Sequence, residues 1–190
     1  MGYLLMAKAA AHSCRVCLVT GPCSAHPPSA APLAKRFRYH FFGKRQTNSL
    51  DKPEWYFTQI LSWIRDHRDF LRKRIQPLMD AAGLSYMDVV HEFARGLVML
   101  VMEKMYKDIP DLLYEEQQLA HFVDETLAFD QELTASYGLP SNTLGCLHIL
   151  CMDTAFKPWL DIERKFAAEK MDAMLTSLLP GSHNTETWQT

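Results

Sequence analysis

Three features of the sequence predict an all-α chain folded as an antiparallel helical bundle. Four long segments carry apolar residues at the 3.6-residue spacing of a helix face. The two-residue alternation of a half-buried strand is almost absent. Proline, glycine or short capping residues punctuate the joins between segments. The chain has 190 residues, enough for one domain with a real core, and its 48% hydrophobic and 22% charged content is ordinary globular usage.

The first helix is expected from about Pro53 to about Ala81. Asn48, Ser49 and Asp51 offer capping oxygens, Pro53 suits the first turn, and Glu54 suits the positive end of the dipole. Its stripe is Phe57, Ile60, Leu61, Ile64, Leu71, Ile75 and Leu78, with Trp63 and Phe70 at a second edge. Asp69 and Lys73 form an i, i+4 pair. Pro77 should kink or end the helix near Ile75, and Gly83 is a natural residue just past its end. A helix of about 25 residues is about 38 Å long, which suits a rod.

The second helix is predicted over about 85–110. Ser85 and Asp88 read as a capping box with Leu84 as its staple, and Pro110 as the stop. Val89, Val90, Phe93, Ala94, Leu97 and Val101 form the stripe. Leu97 to Met102 is apolar all round, so this helix should be central. His91 and Glu92 begin a zinc-protease signature, but Arg95 stands where the second histidine is needed.

The third helix is expected from about Asp111 to Tyr137, closed by Gly138 and Pro140. Leu112, Leu119, Phe122, Val123, Leu127 and Leu133 face inward. Its many carboxylates read as a solvated face, because no Glu is followed three residues later by the His that a di-iron bundle uses. Asn142 to Met152 reads as a short helix with Cys146 and Cys151 as small buried hydrophobes. Asp153 or Thr154 should cap a last long helix with a wide apolar face of Trp159, Leu160, Phe166, Met171, Met174, Leu175 and Leu178. Asp161 and Lys165 are an expected pair on it.

Charge is unevenly placed. Between Lys35 and Arg74 stand eleven Lys or Arg and four Asp or Glu; between Asp108 and Asp153 stand nine carboxylates and no Lys or Arg. Arg65, Arg68 and Arg72 are therefore expected to face Glu116, Asp124 or Glu125 loosely. The formal net charge of -2 argues against bulk nucleic-acid or membrane-surface binding. Five cysteines in two distant clusters, with no N-x-[ST] acceptor, point to a reducing compartment and a cytoplasmic chain.

Residues 1–36 are Ala-rich, then Pro- and Ser-rich, and are expected to be a disordered leader. Cys14, Cys17, Cys23 and His26 mimic zinc-ligand types, but their spacing fits no finger, and no metal or other cofactor is expected. Phe37 to Arg45 interleaves bases with aromatics, as a nucleic-acid patch does. The competing reading, that Phe41 and Phe42 fold back onto the helix while the charges stay solvated, is preferred. Residues 37–178 should be the bundle and 179–190 a polar tail.

The stretch HFFGKRQTN (His40 to Asn48), followed by KPEWYF (Lys52 to Phe57), resembles the entry to the shared region of the RINT/Tip family. SYGLP (Ser136 to Pro140) and WLDIER (Trp159 to Arg164) continue the likeness, which spans about Phe37 to Thr176. The leader lies outside it and looks like a separate start joined near Arg36 to Arg38. The resemblance implies a CATCHR-type helical rod and a subunit of the Dsl-type (NRZ) tethering complex. That complex acts in Golgi-to-endoplasmic-reticulum retrograde transport. The implied partners are other tethering subunits and endoplasmic-reticulum SNAREs, with the chain peripheral to that membrane. Family members are much longer, so this chain reads as a truncated form. No catalytic signature occurs, and a non-enzymatic interaction subunit with no small-molecule substrate is expected. The alternative is a basic-patch nucleic-acid or DNA-damage-checkpoint adaptor, though nucleic acid is not the expected partner. Phe41, Phe42, Lys44, Arg45, Trp55, Trp159, Leu160 and Phe166 are the candidate interaction residues. Self-association through the last three is expected, because the next part of the rod is absent.

Overall fold

In the computed structural model, residues 31–139 and 145–178 are described, and all their regular structure is helical. The order is α1 (Ala31–Phe41), α2 (Glu54–Phe70) running on through a π-helical turn (Leu71–Ile75) into α3 (Gln76–Ala81), then α4 (Val89–Leu112), α5 (Glu116–Tyr137), the short α6 (Cys146–Leu150) and α7 (Asp153–Leu178). The expected all-α bundle is the fold. The cysteine and histidine cluster at 14–26 and the tail 179–190 lie outside the described residues.

The helix α1 is a correction. The sequence places 31–36 in the leader and marks 37–45 only as a basic, aromatic stretch, yet Ala31 to Phe41 form one amphipathic helix. Ala34, Phe37 and Phe41 are spaced three and four apart, so one face can bury. Phe37 is fully buried, which contributes about 1.5–3 kcal/mol. Its ring lies 4.9 Å from Phe41 and edge-on to Tyr56 at 6.3 Å. Such aromatic contacts add about 0.5–1.5 kcal/mol each.

Pro77 acts upstream of itself. It has no N–H for the carbonyl of Lys73, and its ring crowds that carbonyl. The ladder widens before it: the Gln76 N–H bonds the Leu71 carbonyl, a π-type step. One residue is thereby gained, and the downstream face shifts by one position. Leu78, expected inside, is consequently exposed; Phe70, just upstream of the turn, is exposed as well, so it does not extend the apolar face. Gly83 then takes a positive φ of 77°, where any other residue would be strained.

Asp88 begins α4, and the expected Ser85 box is replaced by this later cap. The Asp88 carboxylate accepts from the Val90 N–H at 2.8 Å and the His91 N–H at 3.0 Å. Gln76 clamps the turn, accepting from the Val89 N–H and donating to the Met87 carbonyl, both at 3.0 Å. Pro110 does not stop α4. The helix runs to Leu112, because a single lost bond near the end is tolerated and Leu112 is buried. For the same reason α5 starts at Glu116 rather than Asp111.

Helix α4 is central, as its apolar run predicts, with Leu97, Leu100, Val101 and Met105 fully buried. It packs against α1, α2, α5 and α6. Helices α2 and α5 run the same way and touch: Phe57 stacks on Phe129 at 4.7 Å, and the Tyr137 hydroxyl donates to the Leu61 carbonyl at 3.2 Å. Helix α5 ends on Gly138 in the left-handed conformation (φ 64°), with the Leu139 N–H reaching the Leu133 carbonyl. Phe129 and Thr126 join its buried face. The Thr126 hydroxyl is satisfied by the Phe122 carbonyl at 2.7 Å.

The expected facing of Arg65, Arg68 and Arg72 with Glu116, Asp124 or Glu125 does not occur. Phe57 is already level with Phe129, so Arg65, about 12 Å further on, is level with Tyr137 at the far end of α5. Arg65 pairs instead with neighbouring Asp66 at 3.6 Å, and the Arg68 guanidinium lies 6.0 Å from the Tyr137 ring. Asp69 and Lys73 do pair, at 2.9 Å. Asp161 pairs with Arg164 rather than Lys165, because Lys165 reaches Glu116 of α5 at 2.6 Å. These exposed pairs contribute about 0–1 kcal/mol each.

Candidate interaction surfaces

One pair of charges is buried and one carboxyl is partly buried, and both are tied to the bundle's own elements. Lys104 and Asp108, one turn apart on α4, are bonded to each other with side chains 2% and 8% exposed. The Lys104 ammonium also lies 5.9 Å from the Tyr56 ring. Burial lowers the Lys104 pKa and raises that of Asp108, while their mutual bond opposes both shifts. Asp130 of α5 accepts from the Leu147 N–H at 3.4 Å and so holds the start of α6. Burial raises the Asp130 pKa, and its other oxygen has no partner. Cys146 is fully buried beside it, and burial pushes its thiol well up. Cys151 is only half-buried, so one of the two expected core cysteines is at the edge. Among the described residues, no group of His, Cys, Asp or Glu could hold a metal ion, and no helix is long and apolar enough to cross a membrane.

The candidate interaction residues fall on two surfaces. At the junction of α1 and α2, Phe41 is turned inward and belongs to the core, and Phe42 is half-buried against it. Lys44 and Arg45 are exposed, with the Arg45 guanidinium 4.4 Å from the Tyr39 ring. The loop that carries them is tied down: the Thr47 hydroxyl donates to the His40 carbonyl at 2.7 Å and the Asn48 amide to the Gly43 carbonyl at 2.9 Å. Trp55 is 45% exposed and lines an open depression of about 330 Å³ with Phe41, Thr47, Glu54, Thr58, Gln59 and Ser62.

The second surface is α7, which packs on α5 and α6 through its first half, burying Ala155 and Ile162. Trp159 and Leu160 are half-buried there. The Trp159 indole N–H donates to Glu163 at 3.1 Å, and its ring meets Phe156 edge-on at 5.8 Å. From Glu163 to Ser177 every residue is exposed. Phe166, Met171, Met174 and Leu175 stand out from this half without cover. A free helix of about 15 residues is marginal in water, so this half is helical by continuity with its anchored beginning.

Sequence reasoning missed Lys107 and Glu103 of α4, which join the α1 surface. Lys107 donates to the Phe42 carbonyl at 3.3 Å, and Arg38 pairs with Glu103 at 2.9 Å. Only the docking of α1 on α4 brings them together, and no local spacing signals it.

Comparison with known proteins places the chain in a family. The RINT-1/TIP-1 family model matches residues 30–185, a wider span than Phe37 to Thr176. A RINT1-like protein of Drosophila melanogaster is 41% identical over 150 residues, covering 79% of this chain and 21% of the fly protein. Protein transport protein tip20 of Schizosaccharomyces pombe is 25% identical over 141 residues, covering 74% of this chain and 20% of the yeast protein. The chain thus spans about a fifth of the length of the curated relatives it matches. No solved structure matches. With the family model covering most of the helical bundle, the chain belongs to the RINT-1/TIP-1 family.

Proposed function

We propose that this chain is a non-enzymatic interaction unit of a vesicle-tethering complex in Golgi-to-endoplasmic-reticulum retrograde transport, working at the membrane periphery. Family membership supports the transport role, since a relative is itself named a protein transport protein. One structural observation carries the interaction role. The second half of α7 projects with Phe166, Met171, Met174 and Leu175 outside the bundle. Apolar side chains on an otherwise solvated helix gain free energy only when something covers them. Other tethering subunits and endoplasmic-reticulum SNAREs are the partners this reading assigns.

The test is affinity capture on the immobilised full chain from cell extract, read by antibodies against tethering subunits and endoplasmic-reticulum SNAREs. The wild-type chain should enrich them, and a Phe166→Glu/Met171→Glu/Leu175→Glu variant should lose them while keeping its helical circular dichroism. Absence of every such component from the wild-type capture would overturn the reading.

A further inference from the structure

From the surface of α1, we infer a second, protein-independent binding activity: adsorption to an anionic lipid surface. Helix α1 sorts its residues by face. At 100° per residue, Lys35, Arg36 and Tyr39 fall within an arc of roughly 100° opposite Ala34, Phe37 and Phe41, and Arg38 stands between the two faces beside Ala34. All four are exposed and the other three are buried. Lys44 and Arg45 extend this face along the loop, and Lys107 of α4 joins it through Phe42. From residue 31 to residue 50 there is no Asp or Glu, and Glu103 of α4 is a carboxylate paired with Arg38 at its border. The chain's overall charge of -2 therefore hides a one-sided cationic face. Such a face orients the molecule toward a negative surface.

The kind of anion follows from what the face lacks. Single-stranded nucleic acid needs aromatic faces on which bases stack. Here Phe37 and Phe41 are buried, Phe42 is half-buried with the Lys107 ammonium 5.3 Å from its ring, and Tyr39, though exposed, is a single ring with the Arg45 guanidinium 4.4 Å from its centre, so no run of open aromatic faces is presented. An acidic peptide prefers a groove with cations in it. The neighbouring depression contains Glu54 and no Lys or Arg. What is left is a convex helix with long cationic side chains and an amphipathic tyrosine, 55% exposed, in their midst. That composition suits the headgroup region of an anionic bilayer, where each cation acts without needing a fixed partner.

The test is co-sedimentation of the full chain with phosphatidylcholine vesicles, with and without about a third phosphatidylserine. Binding should require phosphatidylserine and should fall away between about 0.05 and 0.5 M salt, as the Debye length shortens. Lys35→Glu/Arg36→Glu/Lys44→Glu/Arg45→Glu should weaken the partition at least about a hundredfold, since each cation near the surface counts for about fivefold. Arg72→Glu/Arg74→Glu, a reversal at two exposed positions of the π-helical turn, should leave it within about threefold. Circular dichroism checks that both variants fold. Equal binding to neutral vesicles, equal loss in both variants, or no sedimentation would overturn the inference. So would tighter, salt-steep binding of a labelled single-stranded RNA in the absence of vesicle binding. None of these results depends on capture of a transport protein, so this inference and the tethering assignment stand or fall separately.

Discussion

The ion pair between Lys104 and Asp108 invites the sharpest test of the bundle. Both side chains are almost inaccessible, so each charge lost its hydration on folding and depends on the other. Lys104→Met fills a similar volume but leaves the Asp108 carboxylate buried alone. The expected cost is about 3–5 kcal/mol. For a chain of this size that corresponds to a fall in Tm of about 6–20 °C. Lys104→Met/Asp108→Leu removes both charges and should recover the whole loss, ending between neutral and about 4 kcal/mol more stable than wild type. The contact of Lys104 with the Tyr56 ring tempers the gain, because a desolvated cation–π contact contributes about 2 kcal/mol. Urea denaturation followed by circular dichroism measures all three proteins, with equal m-values as the check that the unfolded state is unchanged. Two results would refute the reasoning. A Lys104→Met cost below about 1 kcal/mol would mean that water reaches the pair. A double variant as unstable as the single one would mean that the pair specifies the packing rather than burdens it.

Three further outcomes are expected. Asp88→Ala should cost about 1 kcal/mol in the same denaturation assay, through loss of the two N–H bonds that begin α4; no change would show the Gln76 clamp suffices alone. Asp130 has its folded pKa raised by burial, so the folded state holds that proton more tightly. Its stabilising contribution is complete below the ordinary carboxylate pKa of about 4 and is lost as pH rises through the raised value. Asp130→Asn should flatten that part of the curve of stability against pH, and an unchanged slope would exclude Asp130 as its source. The exposed half of α7 should drive self-association that resists salt. Sedimentation velocity should show a Phe166→Glu/Leu175→Glu variant as monomer at concentrations where wild type is dimeric; a wild-type monomer at all concentrations would discard the idea.

Much of the bundle could be read from local chemistry. The stripe from Val90 to Val101, the glycines at 83 and 138, and the acidic run of α5 predict helices and stops from the chemistry of neighbouring residues. Misplaced boundaries share one cause. At Pro110 and in the segment from Ala31 local propensity opposes a helix, and packing of Leu112 and Phe37 outweighs it. A missing hydrogen bond or a few weak formers cost about 1–3 kcal/mol. Burial of a large apolar side chain offsets that.

The candidate surfaces were less legible. Trp55, Lys44 and Arg45 are exposed as a contact residue should be, whereas Phe41 faces the core and Trp159 and Leu160 are half-covered by α5 and α6. A helical wheel says that a residue is apolar, not which of two apolar faces finds a partner. The sequence by itself determined the helical class, the order of the long helices, the family motifs and the uneven placement of charge along the chain, because these follow from residues near each other along the chain. The tertiary structure alone decided that Lys104 and Asp108 share the core, that the π turn displaces Leu78, and that Lys107 completes the basic face of α1. It also decided that α7 buries no residue between Ile162 and Ser177. Each of these depends on which helix comes to lie against which, and that choice is made by packing between distant segments, whose terms no local window of sequence contains.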